Sequence, residues 1–136
     1  MSAIVVETIE GVVLVDPEAG TAHEPLEPDP SNSLLLGRER PQVDLPRVVA
    51  ADGAGSTVVA VVERKPPLVV SHDAGRTWRE TGGGLPTGFD VAVDPADPDR
   101  IVYAARNRLY LSTDGGVFWR SLPFELPDIV SVAWSS

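Results

Sequence analysis

The stretch that decides the fold is SHDAGRTWR at residues 71–79, which returns as STDGGVFWR at residues 112–120. The two copies are 41 residues apart and are identical at five of their nine positions. Each places an acidic residue, a glycine and a tryptophan at the same spacing, which is typical of a structured turn leading into a strand. A fixed period of this length indicates a fold built from repeated units.

Short apolar runs precede the two copies in the same order. They are rich in Val, Ile, Leu and Ala and are separated by Gly, Pro and Asp, as short β-strands are. Four short strands in a unit of about 40 residues predict an all-β fold of four-stranded antiparallel blades, which is a β-propeller. The three runs of one unit lie at residues 47–52, 57–62 and 67–70, and those of the next at 89–94, 100–105 and 108–111.

The same pattern extends to both ends of the chain, which therefore holds about three blades. With the four strands of a blade labelled A to D from the axis outward, residues 1–24 are predicted to form strands B, C and D of a split blade. Residues 128–136 are predicted to form its strand A, pairing in the same chain or in a partner. Residues 47–87 and 88–127 are predicted to be complete blades, each with one repeat turn. Residues 25–46 are rich in proline and acids and are predicted to be a loop or insert.

The charge and composition exclude several classes of function. The 136 residues include 11 basic and 20 acidic side chains, for a net charge of −9. Nucleic-acid binding needs a basic surface, so no nucleic-acid partner is expected. No apolar run approaches the length of a membrane span, and the start lacks a basic segment ahead of an apolar one, so a cytoplasmic location is predicted. The absence of cysteine removes disulfides and thiolate chemistry.

The repeated pattern Ser-x-Asp-x-Gly-x-x-Trp resembles the Asp-box, or BNR repeat, of sialidase-like and sortilin-like β-propellers. In that family the box lies away from the active face, so the resemblance implies a structural role. The alternative, that Asp73 and Asp114 are catalytic acids or calcium ligands, is not favoured because one carboxylate per turn makes a poor calcium cage. The predicted structural residues are Ser71, Asp73, Gly75, Trp78, Ser112, Asp114, Gly116 and Trp119.

The resemblance does not extend to the catalytic residues of sialidases. The Arg-Ile-Pro motif of that family is absent, and the nearest fragment is Arg40-Pro41. We therefore predict no catalytic residue, no metal and no cofactor. The predicted function is a non-enzymatic propeller that acts as a ligand-binding or protein-interaction scaffold. One alternative is a sialidase-like or other glycoside hydrolase with a site built across subunits, and another is an assembly factor for a larger complex.

Basic residues gather at the turns between the second and third strands of the two complete blades. Arg64 and Lys65 occupy one of these turns, and Arg106 and Arg108 occupy or flank the other. These turns are expected on the face opposite the repeat turns. They are the candidate ligand face, and a glycan, an anionic small ligand or a protein is the expected partner.

Three blades are too few to close a ring, since propellers have about four to eight. Two copies give six blades, so a homodimer is favoured, with strand A of one chain exchanged into the split blade of the other. The candidate oligomer interface consists of Ile4, Val6, Ile129, Val130, Val132 and Trp134.

Overall fold

The computed structural model describes residues 3–23, 41, 43, 45 and 47–135. This part of the chain forms three four-stranded antiparallel sheets, which confirms the predicted all-β class and the four-stranded units. The strands are β1 (Ala3–Thr8), β2 (Gly11–Asp16), β3 (Thr21–His23), β4 (Val48–Ala54), β5 (Thr57–Val62), β6 (Leu68–Ser71), β7 (Arg79–Thr81), β8 (Asp90–Val93), β9 (Ile101–Ala105), β10 (Arg108–Ser112), β11 (Arg120–Ser121) and β12 (Ile129–Ser135).

Sheet I joins the two ends of the chain in the order β12-β1-β2-β3. Ile4 of β1 pairs with Trp134 of β12 on one side and with Val15 of β2 on the other. The first and last strands therefore close the sheet within one chain. This is one of the two pairings that the sequence left open, and the exchange of strand A between two chains stays a prediction.

Sheets II and III each consist of four consecutive strands. Sheet II has the order β4-β5-β6-β7, and sheet III the order β8-β9-β10-β11. Their second strands, TVVAVV and IVYAA, are almost continuously apolar and buried. Such runs suit strands that are covered on both faces, so each of these sheets is expected to pack on two sides.

Sheet III lies in the middle of the stack. Its first strand, β8, contacts β4 and β5 of sheet II and also β12 of sheet I, so the order is II-III-I. The alternation of side chains along each strand sends Val91 and Tyr103 towards sheet II, while Ala92 and Val102 face sheet I. Two apolar cores thus separate the three sheets.

Buried aspartates connect the innermost strands of neighbouring sheets. Asp52 of β4 accepts a hydrogen bond from the backbone N–H of Val93 in β8, at 2.8 Å. Asp90 of β8 accepts one from the N–H of Val132 in β12, at 2.9 Å. Both carboxylates are about 95% buried, and charged hydrogen bonds of this kind are stronger than neutral ones. They fix the register between one sheet and the next.

A tight contact holds the connection between β7 and β8 against the core of sheet III. The ring of Tyr103 is fully buried, and its hydroxyl donates to the carbonyl oxygen of Pro86 at 2.8 Å. Burial raises the pKa of the Tyr103 phenol to about 12. A Cβ at Gly88 would lie only 2.2 Å from Cζ of this ring, so glycine is required there for close approach.

The residues predicted as an oligomer interface lie mostly inside the chain. Ile4, Val6 and Val132 are fully buried in the core between sheets III and I, which also includes Ile129 and Trp134. The β12-β1 pairing turns these side chains towards sheet III, and their role as an oligomer interface stays a prediction. Val130 alone of the six is exposed, at 49%.

The predicted insert at residues 25–46 lies almost wholly outside the described residues. Of those described, Val43 and Leu45 pack against sheet II. No helix in the described ranges has the length and apolar character needed to cross a membrane.

Candidate functional site

The first repeat turn, residues 71–79, is organised by one carboxylate. Oδ1 of Asp73 accepts hydrogen bonds from the Ser71 hydroxyl at 2.7 Å and from the Thr77 backbone N–H at 2.9 Å. Its Oδ2 accepts from the Thr77 hydroxyl at 2.6 Å. Oγ of Ser71 in turn accepts from the N–H of Gly75 at 2.8 Å. Both carboxylate oxygens are thus engaged in holding their own turn.

The second repeat turn, residues 112–120, has almost the same geometry. Oδ1 of Asp114 accepts from the Ser112 hydroxyl at 2.8 Å and from the Phe118 N–H at 3.1 Å. The N–H of Gly116 donates to the Ser112 hydroxyl at 2.9 Å. Two turns that agree within a few tenths of an ångström indicate one local structure used twice.

The glycine and the tryptophan of each turn act as a pair. Gly75 and Gly116 have φ values of 88° and 91°, a conformation that side-chain-bearing residues rarely adopt. A Cβ at Gly75 would lie 3.5 Å from Cζ2 of Trp78, and one at Gly116 would lie 3.7 Å from Cζ2 of Trp119. Each indole therefore packs against the glycine of its own turn.

Sheet I has a shorter turn in the corresponding place. Asp16 accepts hydrogen bonds from the backbone N–H groups of Glu18 and Ala19, at 3.0 and 3.1 Å. This turn has no tryptophan, and its chemistry is again that of a carboxylate capping its own backbone.

Hydrogen bonding lowers the pKa of all three turn carboxylates below the ordinary value for aspartate. For Asp73 the largest cause is the Thr77 hydroxyl, followed by the Ser71 hydroxyl. For Asp114 it is the Phe118 N–H, and for Asp16 the Ala19 N–H. These groups remain ionised at neutral pH, so none of them is suited to act as a general acid there.

The lowered pKa of Asp73 predicts a specific acid sensitivity. Its hydrogen bonds contribute their full stability above the unfolded-state pKa of about 3.9 and lose it as the pH falls from there towards the lower folded-state pKa. We expect the Asp73→Asn variant to lose less stability than the wild type between pH 7 and pH 3. Urea unfolding at both pH values measures this, and an equal loss in the two proteins contradicts the role assigned to Asp73.

The acidic run at residues 94–99 forms a turn between β8 and β9. Asp94 accepts from the Ala96 N–H at 2.9 Å, and Asp97 accepts from the Asp99 N–H at 3.2 Å. Arg100 lies 3.5 Å from Asp94. Within the described residues, no group of three His, Asp or Glu side chains is arranged to hold a metal ion.

The candidate ligand face lies on the side of the stack opposite the repeat turns, because it consists of the turns at the other ends of the third strands. Arg64 and Lys65 are exposed in the β5-β6 turn. Arg106 is 83% exposed and lies 3.6 Å from Asp128, whereas Arg108 lies 3.2 Å from Glu125. The structure thus places Arg64, Lys65 and Arg106 in turns of two neighbouring sheets and Arg108 at the start of β10, with acids beside Arg106 and Arg108.

A set of contacts at Arg100, which we call the clasp, joins sheets III and I and was not predicted from the sequence. The guanidinium of Arg100 forms a salt bridge with Glu18 and stacks 4.8 Å from the centroid of the Trp134 ring. Arg120 also donates to the carbonyl oxygen of Pro17, at 3.2 Å. Arg100 and Trp134 follow no repeated spacing, so only the sheet pairing reveals that they meet.

A shallow cleft lies beside the first repeat turn. It has a volume of about 230 Å³ and is lined by Val70, His72, Asp73, Thr77, Trp78 and Arg79. The corresponding tryptophan of the second turn, Trp119, is covered by sheet II: its Nε1 donates to the Thr81 hydroxyl at 3.1 Å, and its ring lies edge-on to Tyr103. The two turns are therefore alike inside but differ in their surroundings.

Comparison with known proteins finds a similar solved structure but no matching family model. No family model matches it, and no curated protein matches it. Among solved structures it is similar to a GH74 enzyme from Niastella koreensis, with 20% sequence identity and a TM-score of 0.49. The match covers 93% of this chain but 19% of that enzyme, so the chain spans about a fifth of the enzyme's length. The blade-like architecture therefore rests on the three sheets themselves and their order in the stack.

Proposed function

We propose that the chain is a non-catalytic β-propeller module of the Asp-box type that acts as a binding scaffold. The observation that carries this proposal is the use of the carboxylates in the repeat turns. Asp73 and Asp114 hold the backbone of their own turns, so the most distinctive acidic residues of the sequence are committed to structure. A binding role does not require catalytic side chains, because it depends on the exposed surfaces that such rigid turns present.

The candidate ligand face determines the chemistry of the proposed partner. Arg64, Lys65 and Arg106 expose positive charge on a chain whose net charge is −9. An acidic sugar, a small anion or an acidic peptide is the class of ligand that such a face attracts. Because Asp128 and Glu125 lie beside Arg106 and Arg108, the ligand competes with them, and binding is expected to weaken with added salt.

Charge reversal on this face tests the proposal. We expect 3′-sialyllactose to bind and lactose, its neutral counterpart, not to bind. The Arg64→Glu variant is expected to weaken sialyllactose binding about fivefold, as an exposed charge contact worth about 1 kcal/mol implies. Titration calorimetry at low and at physiological salt measures both effects.

Arg76→Glu is the matched control, because it makes the same charge change in the first repeat turn, on the opposite side of the stack. Equal weakening by both variants, or no binding of acidic glycans across an array, contradicts the proposed ligand face. Turnover on a panel of fluorogenic glycosides contradicts the non-catalytic function and favours the glycoside hydrolase. Capture of a multi-protein complex without glycan binding favours the assembly factor.

A further inference from the structure

The cleft beside the first repeat turn, which we call the Trp78 cleft, has both apolar and polar walls. Its lining consists of Val70, His72, Asp73, Thr77, Trp78 and Arg79. Val70 is buried and the Trp78 indole is half-buried, whereas the His72 and Arg79 side chains are exposed. Apolar surface with a few polar groups around it is the usual composition of a small-molecule site.

Two of the polar walls are held in place by the protein itself. Nδ1 of His72 lies 3.3 Å from the Thr57 hydroxyl. Its ring packs on the second repeat turn, where a Cβ at Gly115 would lie only 3.1 Å from Cε1 of His72. Asp73 uses both carboxylate oxygens to accept hydrogen bonds within its own turn. The cleft is therefore shaped before a ligand arrives, which lowers the entropic cost of binding.

The indole N–H of Trp78 lacks the acceptor that its counterpart has. Nε1 of Trp119 donates to the Thr81 hydroxyl of sheet II and to the carbonyl oxygen of Gly116, at 3.1 and 3.2 Å. No hydrogen bond joins Nε1 of Trp78 to any residue that the structure describes. Because the two turns have the same internal geometry, the space that Thr81 fills beside Trp119 corresponds to the Trp78 cleft. The group that fills the cleft is thus expected to present an oxygen atom to this N–H.

The guanidinium of Arg79 also lacks an acceptor. Its counterpart, Arg120, donates to the carbonyl oxygen of Pro17 at 3.2 Å. In the described ranges of the chain no acceptor pairs with the Arg79 side chain, although Asp73 lines the same cleft. A guanidinium presents five N–H donors in a fixed fork that suits a carboxylate. The cleft therefore combines two unused donors, one of which is charged.

We propose that the Trp78 cleft binds a small apolar carboxylate. The carboxylate oxygens accept from Nε1 of Trp78 and from the Arg79 guanidinium, and the apolar body lies against Val70 and the indole ring. The volume of about 230 Å³ is below the range of about 300 to 1,000 Å³ for drug-sized ligands, so the body is no larger than one ring. This inference goes beyond the proposed function, because it rests on other residues on the opposite side of the stack.

The three tryptophans of the chain allow a direct test with benzoate as the probe. Each indole N–H gives one signal in a proton–nitrogen correlation spectrum, and the Trp78→Phe variant identifies the signal of Trp78. We expect benzoate to move the Trp78 signal and to leave those of Trp119 and Trp134 in place, since both are bonded inside the protein. The dissociation constant is expected to be about 1 mM, as suits a ligand of this size.

Two comparisons test the role of the charge. Arg79→Gln is expected to weaken benzoate binding about fivefold, and benzamide, the neutral counterpart, is expected to bind about fivefold more weakly than benzoate. Arg79 is exposed, so its replacement does not disturb the core. Arg76→Gln is the matched control, because it makes the same charge change in the same turn at a residue that does not line the cleft. It should change the dissociation constant by less than about twofold.

The outcomes separate this proposal from the candidate ligand face. If benzoate moves none of the three indole signals, or moves all three equally, the proposal is overturned. Equal weakening by Arg79→Gln and Arg76→Gln would reveal general charge attraction and also overturns it. We expect 3′-sialyllactose to leave the Trp78 signal in place, and a shift there would mean that the cleft is the sugar site itself and not a separate one. Loss of sialyllactose binding with the benzoate shift retained contradicts the candidate ligand face alone.

Discussion

Replacing Gly88 with alanine is expected to destabilise the protein by at least about 3 kcal/mol, because the added methyl group overpacks a fully buried site. The new Cβ would lie 2.2 Å from Cζ, 2.3 Å from Oη and 2.5 Å from Cε1 of Tyr103. The ring cannot turn away easily, since it is buried between sheets II and III and tied to Pro86 by its hydroxyl. Urea unfolding followed by tryptophan fluorescence measures the loss.

Two comparisons isolate the clash with Tyr103. Gly83 lies in the same connection, where an added Cβ would have no atom within 4 Å, so Gly83→Ala should change stability by no more than about 0.5 kcal/mol. In a Tyr103→Ala background, Gly88→Ala should add little further loss, because the ring is gone. If Gly88→Ala lowers the free energy of unfolding equally in both backgrounds, the loss does not come from a clash with Tyr103.

Replacing Trp134 with alanine is expected to cost about 4 kcal/mol, as removal of a buried tryptophan commonly does. Trp134 is 7% exposed in the core between sheets III and I, and its Nε1 donates to the carbonyl oxygen of Ala92 at 3.0 Å. The substitution also removes the surface on which Arg100 stacks. Because Trp134 lies opposite Ile4, the loss measures how strongly β12 is held against β1.

Matched variants separate the contributions of this residue. Trp134→Phe keeps most of the apolar contact but leaves the Ala92 carbonyl without the indole N–H, so we expect a loss of about 1 to 2 kcal/mol. Val130→Ala truncates an exposed residue of the same strand and should cost no more than about 0.5 kcal/mol. If Trp134→Ala is no more harmful than Val130→Ala, the described closure of sheet I is wrong.

The repeat carried most of the fold information in the sequence. The spacing of the serine, aspartate, glycine and tryptophan predicts the turns at 71–79 and 112–120, because hydrogen bonds within a turn depend only on nearby residues. The strands before each turn follow from their apolar runs. Local patterns of this kind can be recognised without knowledge of the partners.

The parts that could not be predicted depend on contacts between distant residues. The sequence indicated a split blade but did not decide which chain supplies its strand A, since Trp134 and Ile4 pair with the same local geometry in either case. The clasp at Arg100 and the close approach of Gly88 to Tyr103 likewise join residues with no shared spacing. At the candidate ligand face, the cations were found, but the acids beside Arg106 and Arg108 were not.

The pairing of the first strand with the last has a consequence for how the chain folds as it is synthesised. Ala3 and Ser135 are 132 residues apart in sequence, yet they meet in sheet I. Sheets II and III involve only consecutive strands and can form as they emerge, whereas β1 keeps an unpaired edge until the final strand arrives. The pairing of β1 with β12 is therefore the slowest contact to form. Until it forms, the exposed edge of β1 can pair wrongly with strands of other nascent chains.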